Sequence, residues 1–297
     1  MDTKNLIPLL AMPLLLLAVE IGALLISLPV QASGIVAFED PTSLENPVIF
    51  IAILLVFTAF LLLLIKFDMK KVIAAVIGLS LFLTFAYIFA ALVYAAIGVS
   101  DIANILVLVL SILATALLYK YPEWYVIDAL GILIGAGVAS IFGVSLDVLP
   151  VVILLILLAV YDAISVYKTK HMITLAEGVI DLKTPILFVI PKRRDYSFIR
   201  EGIGKLGDGG ERSAFIIGMG DMIMPSILVV SANVFIKGAR LGGIINLPAL
   251  GAIIGSLAGL CVLLYFVMSG KPQAGLPPLN GGTILGFVAG LAAMTWV

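Results

Sequence analysis

"AFIIGMGDMIMPSILVV", residues 214–230, is apolar enough to lie in a membrane, yet it carries an aspartate, Asp221. Gly218 and Gly220 precede the acid, and Pro225 follows it by about one helical turn. An aspartate at mid-span costs about 2.5–3.5 kcal/mol on insertion scales, so a carboxyl kept there implies a use and a partner.

The surrounding chain has the same character. It is 297 residues long, 63% hydrophobic and 12% charged, with a mean hydropathy of +1.26. Soluble domains run near half apolar, so this composition defines an all-α polytopic membrane protein whose constant partner is the lipid bilayer. The apolar runs are long and continuous, without the alternation of a membrane barrel. Nine spans are expected: Leu6–Val30, Pro47–Ile65, Val72–Val99, Ile102–Leu118, Trp124–Phe142, Leu149–Tyr167, Ser213–Ile236, Leu247–Met268 and Leu276–Val297. Each is close to the ~20 residues that cross about 30 Å of hydrocarbon. The first run exceeds the ~7–15-residue core of a signal peptide, so Val30-Gln31-Ala32 is not read as a cleavage site. The net charge of −1 gives no sign of a nucleic-acid partner.

Lys and Arg set the orientation. With the N-terminus cytoplasmic and the C-terminus outside, 15 of the 17 Lys and Arg residues fall on the cytoplasmic side. Only Lys237 and Arg240, in "KGARLGG" (237–243), violate the rule, and the outer loop "QASGIVAFEDPTSLEN" (31–46) has no basic residue. One membrane domain is expected, with spans one to six in residues 1–167, a cytoplasmic loop in 168–212 and spans seven to nine in 213–297. Within the loop, "PILFVIP" (Pro185–Pro191) is a short apolar run bounded by prolines, which favours a strand. "EGIGKLGDGGER" (201–212) reads as a linker, and its "GIGKLG" lacks the spacing and the strand–helix frame of a phosphate loop. Gly251, Gly255 and Gly259, like Gly282, Gly286 and Gly290, recur every four residues and are read as helix-packing stripes.

Four acids lie inside expected spans: Glu20, Asp128, Asp162 and Asp221. Asp162 precedes Lys168 at the cytoplasmic end of span six and lies about 9 Å from that end at 1.5 Å per residue. Asp221 follows Arg212 on span seven and lies about 13 Å deep by the same rise. Two acids on consecutive antiparallel spans therefore reach nearly one level. Gly218, on the same helical face as Asp221, leaves room beside it; Gly220 adds backbone freedom. Pro225 cannot donate to the Asp221 carbonyl. Asp128, about 6 Å into span five, either supports the pair or faces the aqueous rim, the rim being the favoured expectation, and Glu20 lies deep with no role assigned.

The chain has a single histidine, His171, in a loop, and a single cysteine, Cys261, in an apolar segment. Zinc proteases need two histidines and a serine–histidine dyad needs one in the bilayer, so neither fits. No metal and no cofactor is expected. A carboxyl pair remains. A cation- or proton-coupled transporter also uses intramembrane carboxyls, but it predicts inverted repeats, and the two halves show no internal similarity. A scaffold without chemistry leaves the matched acids unexplained.

"AVYDAISVY" (159–167) followed by "IIGMGDMIMP" (216–225) resembles the Tyr-Asp and Gly-x-Gly-Asp motifs of the presenilin and signal-peptide-peptidase family of intramembrane aspartyl proteases. The nine-span count, with the motifs on spans six and seven, is similar to that family over essentially the whole chain. The resemblance implies an intramembrane aspartic endopeptidase with Asp162 and Asp221 catalytic and with Tyr161, Gly218, Met219 and Gly220 shaping the site. The family also carries Pro-Ala-Leu at the cytoplasmic start of span nine. A literal Pro248-Ala249-Leu250 falls at the outer end of span eight, so the corresponding position is "QAGLPPLNGG" (273–282), with Ala274-Gly275-Leu276 or Pro277-Pro278-Leu279 standing in. Leu276, Pro277, Pro278 and Leu279 are taken as the candidates. The basic loop resembles the orientation of the presenilin branch, and the short N-terminus that of microbial homologues. The implied partners are transmembrane-helix substrates, with a homo-oligomer also compatible.

Two carboxyls within hydrogen-bonding distance in a low-dielectric site share a proton and titrate as a unit. One serves as general base on a water while the other polarises the scissile carbonyl. The Pro185–Pro191 strand is expected to pair with the unwound substrate.

Overall fold

The computed structural model describes residues 3–169, 187–193, 195–202, 213–267 and 273–295. Six helices come first: α1 (Thr3–Ser33), α2 (Glu45–Lys66), α3 (Lys70–Ile97), α4 (Asp101–Lys120), α5 (Trp124–Ser145) and α6 (Val148–Ile164), the last running into a π-helical turn, Ser165–Thr169. Strand β1 (Leu187–Pro191) and the short α7 (Phe198–Glu201) precede β2 (Ala214–Gly218) and α8 (Met219–Phe235). A small hairpin, β3 (Arg240–Leu241) and β4 (Ile245–Asn246), leads into α9 (Leu247–Val267), and α10 (Leu276–Met294) closes the described chain. His171, Lys271 and most of the 201–212 linker lie outside the described residues.

Eight of these helices, all but α7 and α8, are long and apolar enough to cross a membrane. Exposed apolar side chains such as Ile53, Val56, Ile105 and Leu113 cover α2 and α4, as helices facing lipid require. Burial separates centre from periphery: 61% of the apolar window of α5 is buried against 11% for α2. Helix α5 packs on α1 and α8, and its glycines permit the approach. A side chain at Gly137 would strike Ile88 of α3, and one at Gly143 would lie 2.5 Å from Cβ of Val230 on α8.

The expected seventh span, Ser213–Ile236, is corrected at its start. Residues Ala214–Gly218 form a strand, and α8 has 17 residues, about 26 Å at the helical rise. Phe215, Ile216 and Ile217 suit a strand as well as a helix. A partner strand decides between them: β1 pairs antiparallel with β2, Leu187 opposite Gly218 and Pro191 opposite Ala214. Gly218 therefore ends a strand and does not share a helical face with Asp221, as expected from spacing. The strand reading of "PILFVIP" holds for Leu187–Pro191.

The two glycine stripes interlock. Helices α9 and α10 make the most extensive helix contact of the described residues, with Gly255 against the Gly282 carbonyl and Gly251 against that of Gly286. A side chain at Gly255 would meet backbone, which cannot swing aside as a rotamer can. Gly255→Leu is expected to destabilise the protein by at least about 2 kcal/mol, seen as a lower unfolding midpoint in detergent. Gly78→Ala, where an added Cβ meets nothing within 4 Å, is the neutral control.

Glu20 is fully buried on α1 and accepts the Ser256 hydroxyl of α9 at 2.6 Å, tying those helices together. Asp128 is not at the rim. It is buried and accepts the Val189 N–H of β1 at 2.8 Å. Glu123, just ahead of α5, accepts from the Ser197 hydroxyl at 2.6 Å and the Phe198 N–H at 3.1 Å, capping α7. Beside it, burial together with Glu201 and Glu123 pushes the Tyr196 hydroxyl up to about 12, and this hydroxyl donates to the Gly202 carbonyl at 2.7 Å.

Candidate active site

Asp162 is buried in the last turn of α6, where the Ser165 hydroxyl bonds back to the carbonyls of Tyr161 and Asp162 at 2.6 and 3.2 Å. Such back-bonding competes with the regular helix, and the chain passes into the π-helical turn at this residue. Asp221 stands in the first turn of α8, half-buried, directly after the β2 strand. Pro225, one turn on, leaves the Asp221 carbonyl without its helical donor.

A third segment brings the two carboxyls together. The Leu276 N–H, at the start of α10, donates to Asp162 Oδ2 at 3.0 Å, and the Gly275 amide also bears on that carboxyl. The next two residues, Pro277 and Pro278, have no N–H, so Leu276 supplies the outward amide of this helix start, where an anion is favoured. Gly275 turns its Cα toward the other acid. A Cβ built there would lie 2.8 Å from Oδ2 and 3.0 Å from Cγ of Asp221. Gly218 flanks the same carboxyl from β2, with a Cβ distance of 3.3 Å to Oδ2. One backbone turn, Gly275–Leu276, thus touches both.

The other expected site residues divide. Tyr161 is half-buried beside Asp162 on α6. Met219 packs over Gly131 of α5 together with Phe188 of β1. Gly220 is exposed, and an added Cβ there meets nothing within 4 Å. Pro278 and Leu279 abut Gly259, so their contacts serve the α9–α10 seam. Pro248 lies against Gly290, near the far end of α10 and about 21 Å along the helix from Leu276; the literal Pro-Ala-Leu is remote from the acids. Two residues outside the expected set anchor the start of α10. The Tyr167 hydroxyl lies 2.9 Å from Gln273 Oε1 and accepts the Ala274 N–H at 3.3 Å. Asn280 Nδ2 donates to the Leu155 carbonyl of α6 at 2.9 Å. Their only signal in the sequence is a polar residue in an apolar setting.

β1 is the strand expected to pair with substrate. One of its edges is taken by β2, and on the other the Val189 N–H is taken by Asp128. The open edge of the sheet is that of β2, where the Ile216 N–H and C=O point away from β1 and have no hydrogen bond among the described residues. No cluster of three or more potential metal ligands occurs among the described residues.

Two aspartyl carboxyls brought to one backbone turn inside a bundle of apolar helices are equipped for peptide hydrolysis of the aspartyl-protease kind, which defines the class as an intramembrane aspartyl protease. The family model described as signal-peptide peptidase, presenilin aspartyl protease matches residues 12–295, and the chain belongs to this family. Two solved structures, both described as a presenilin family intramembrane aspartate protease, are 53% identical to it. The P2 form covers 96% of this chain and 98% of that one with a TM-score of 0.70; the C222 form covers 96% and 99% with a TM-score of 0.72. No match is found among curated proteins. The protein is an integral, multi-pass membrane hydrolase, and these matches lend the transporter alternative no support.

Proposed function

We propose that Asp162 and Asp221 form the catalytic dyad of this protease and hydrolyse peptide bonds within transmembrane-helix substrates. The convergence of both carboxyls on Gly275–Leu276 carries the reading. The dyad holds one shared proton. The ionised member takes a proton from a water whose oxygen attacks the scissile carbonyl carbon, while the protonated member donates to the carbonyl oxygen. Collapse of the tetrahedral species breaks the C–N bond, and the leaving amine takes up a proton from the dyad. Base and acid exchange between steps, so neither residue is assigned one role. Gly218 and Gly275 leave room against Asp221, Tyr161 borders Asp162, and the open β2 edge at Ile216 offers backbone groups to an unwound substrate segment. The deciding experiment reconstitutes the chain with a single-span substrate and compares wild type with Asp162→Ala and Asp221→Ala; cleavage by either variant rejects the dyad.

The same reading includes nine spans in one membrane domain, with α8 as the seventh, the N-terminus cytoplasmic and the 168–212 segment on the same side. In a Cys261→Ser background, a membrane-impermeant thiol reagent applied outside intact cells is expected to label Gly34→Cys and to spare Lys120→Cys. The reverse pattern rejects this orientation.

A further inference from the structure

Helix α10 is led in by three successive amides whose acceptors all come from another helix. Its first turn holds Pro277 and Pro278, which have no N–H, so Ala274, Gly275 and Leu276 carry the donors at this helix start. Leu276 donates to Asp162 Oδ2 at 3.0 Å and the Gly275 amide bears on the same carboxyl. Ala274 donates to the Tyr167 hydroxyl at 3.3 Å. Both acceptors belong to the end of α6 and the π-helical turn into which it runs. Two side chains thus serve three N–H groups, and one of the two is an acid whose protonation changes during the reaction. A carboxyl is a strong acceptor when ionised and a weaker one when protonated. The phenol hydroxyl undergoes no such change.

The π-helical turn brings Tyr167 to this position. At about 3.6 residues per turn, a regular helix would carry residue 167 about 140° around the axis from Asp162. The wider i→i+5 turn over Ser165–Thr169 returns it toward the Asp162 face. The Tyr167 ring is 56% exposed, so packing asks little of it, whereas Ala274 is 3% exposed. A buried N–H left without an acceptor is costly, and the Tyr167 hydroxyl is the acceptor that reaches this one. Its own proton goes to Gln273 Oε1, 2.9 Å away. One hydroxyl therefore accepts from the backbone and donates to a side chain, each once.

We infer that Tyr167 is a positioning residue for the dyad: through the Ala274 N–H it holds the Gly275–Leu276 turn against Asp162 and Asp221 while the carboxyls exchange their proton. The inference rests on the reading of Asp162 and Asp221 as the dyad. Tyr167 acts through the turn, so its loss falls on kcat and leaves KM nearly unchanged. It also shares one route with Gly275, so the two positions are expected to be non-additive. A merely structural role would produce neither effect.

The test uses the full chain in liposomes with one single-span substrate and reads kcat and KM beside the unfolding midpoint in detergent. Tyr167→Phe is expected to lower kcat by about tenfold, the scale of one buried donor left unpaired, with KM within about threefold and the midpoint unchanged. Tyr167→Leu removes the same hydroxyl, is expected to show the same loss, and keeps the test valid if the phenylalanine variant folds poorly. Gln273→Ala leaves the Ala274 amide its acceptor and is expected to stay within about threefold of the wild-type kcat. Tyr265→Phe takes a hydroxyl from an exposed ring on α9 and is the control. Tyr167→Phe combined with Gly275→Ala is expected to be no slower than Gly275→Ala alone by more than about twofold. A wild-type kcat in both Tyr167 variants overturns the inference, as do losses that multiply in the double variant or a Gln273→Ala loss as large as that of Tyr167→Phe. Asp162→Asn, run in parallel, reports on the dyad separately, since cleavage there would reject the dyad whatever the Tyr167 variants do.

Discussion

Asp162→Asn and Asp221→Asn are each expected to lower the cleavage rate of a reconstituted single-span substrate by about 10³-fold or more. General acid–base catalysis by one group contributes about 10²–10⁴-fold, and in a shared-proton pair the loss of either member removes both functions. Asparagine is chosen because it keeps the shape. At position 162 its amide oxygen can still accept the Leu276 N–H that Asp162 Oδ2 accepts at 3.0 Å, so the start of α10 stays in place. Unfolding midpoints in detergent should therefore match wild type. Groups that act as a unit are non-additive, so the double variant should be no slower than the slower single one. A double variant slower by the product of the two single losses would mean that the carboxyls work independently, and a single variant with near-normal cleavage would remove that residue from the chemistry.

Gly275→Ala is expected to lower kcat by about 10²-fold while leaving KM within a few-fold, since a misplacement near 1 Å at a reacting group can cost that much. The added methyl would lie 2.8 Å from Asp221 Oδ2 and 3.0 Å from Cγ, closer than atoms can rest. The backbone at Gly275 is right-handed helical, φ −79° and ψ −41°, a conformation alanine adopts without strain. The cost therefore falls on the position of the Asp221 carboxyl and little of it on the fold. Gly281→Ala, six residues along, places its methyl in open space and is the matched control. Equal activity of the two variants would show that Gly275 does not set the Asp221 position, and a large drop in unfolding midpoint for Gly275→Ala would show that its role is packing.

Much of the molecule is legible from local chemistry. Hydropathy locates the helices to within a few residues, because the transfer of each side chain out of water is a property of that side chain. The four-residue glycine spacing marks the α9–α10 seam, and the two prolines around "ILFVI" mark β1. The matched depth of Asp162 and Asp221 points to a pair even though the segment before Asp221 is a strand, since both carboxyls still end at the same turn.

Other features depend on partners far away in the chain. "AFIIG" reads equally well as strand or helix, and the choice falls to β1, more than twenty residues earlier. Asp128 looks like a rim residue by depth until the Val189 N–H arrives to be capped, and Glu20 has no visible role until Ser256 reaches it. The third component of the site is least visible of all. Gly275–Leu276 contributes backbone, and an amide N–H is present at almost every residue, so no letter singles it out.

The sequence alone thus determined the membrane class and the approximate helices, and it singled out Asp162 and Asp221 as a pair, because apolar transfer and the cost of a buried carboxyl are set residue by residue. Tertiary structure alone decided that α8 begins at a strand, that Asp128 accepts the Val189 N–H and that the Gly275–Leu276 turn stands against both Asp162 and Asp221. Each of these depends on which backbone groups remain without a partner once the helices have packed, and that is a property of the assembled fold.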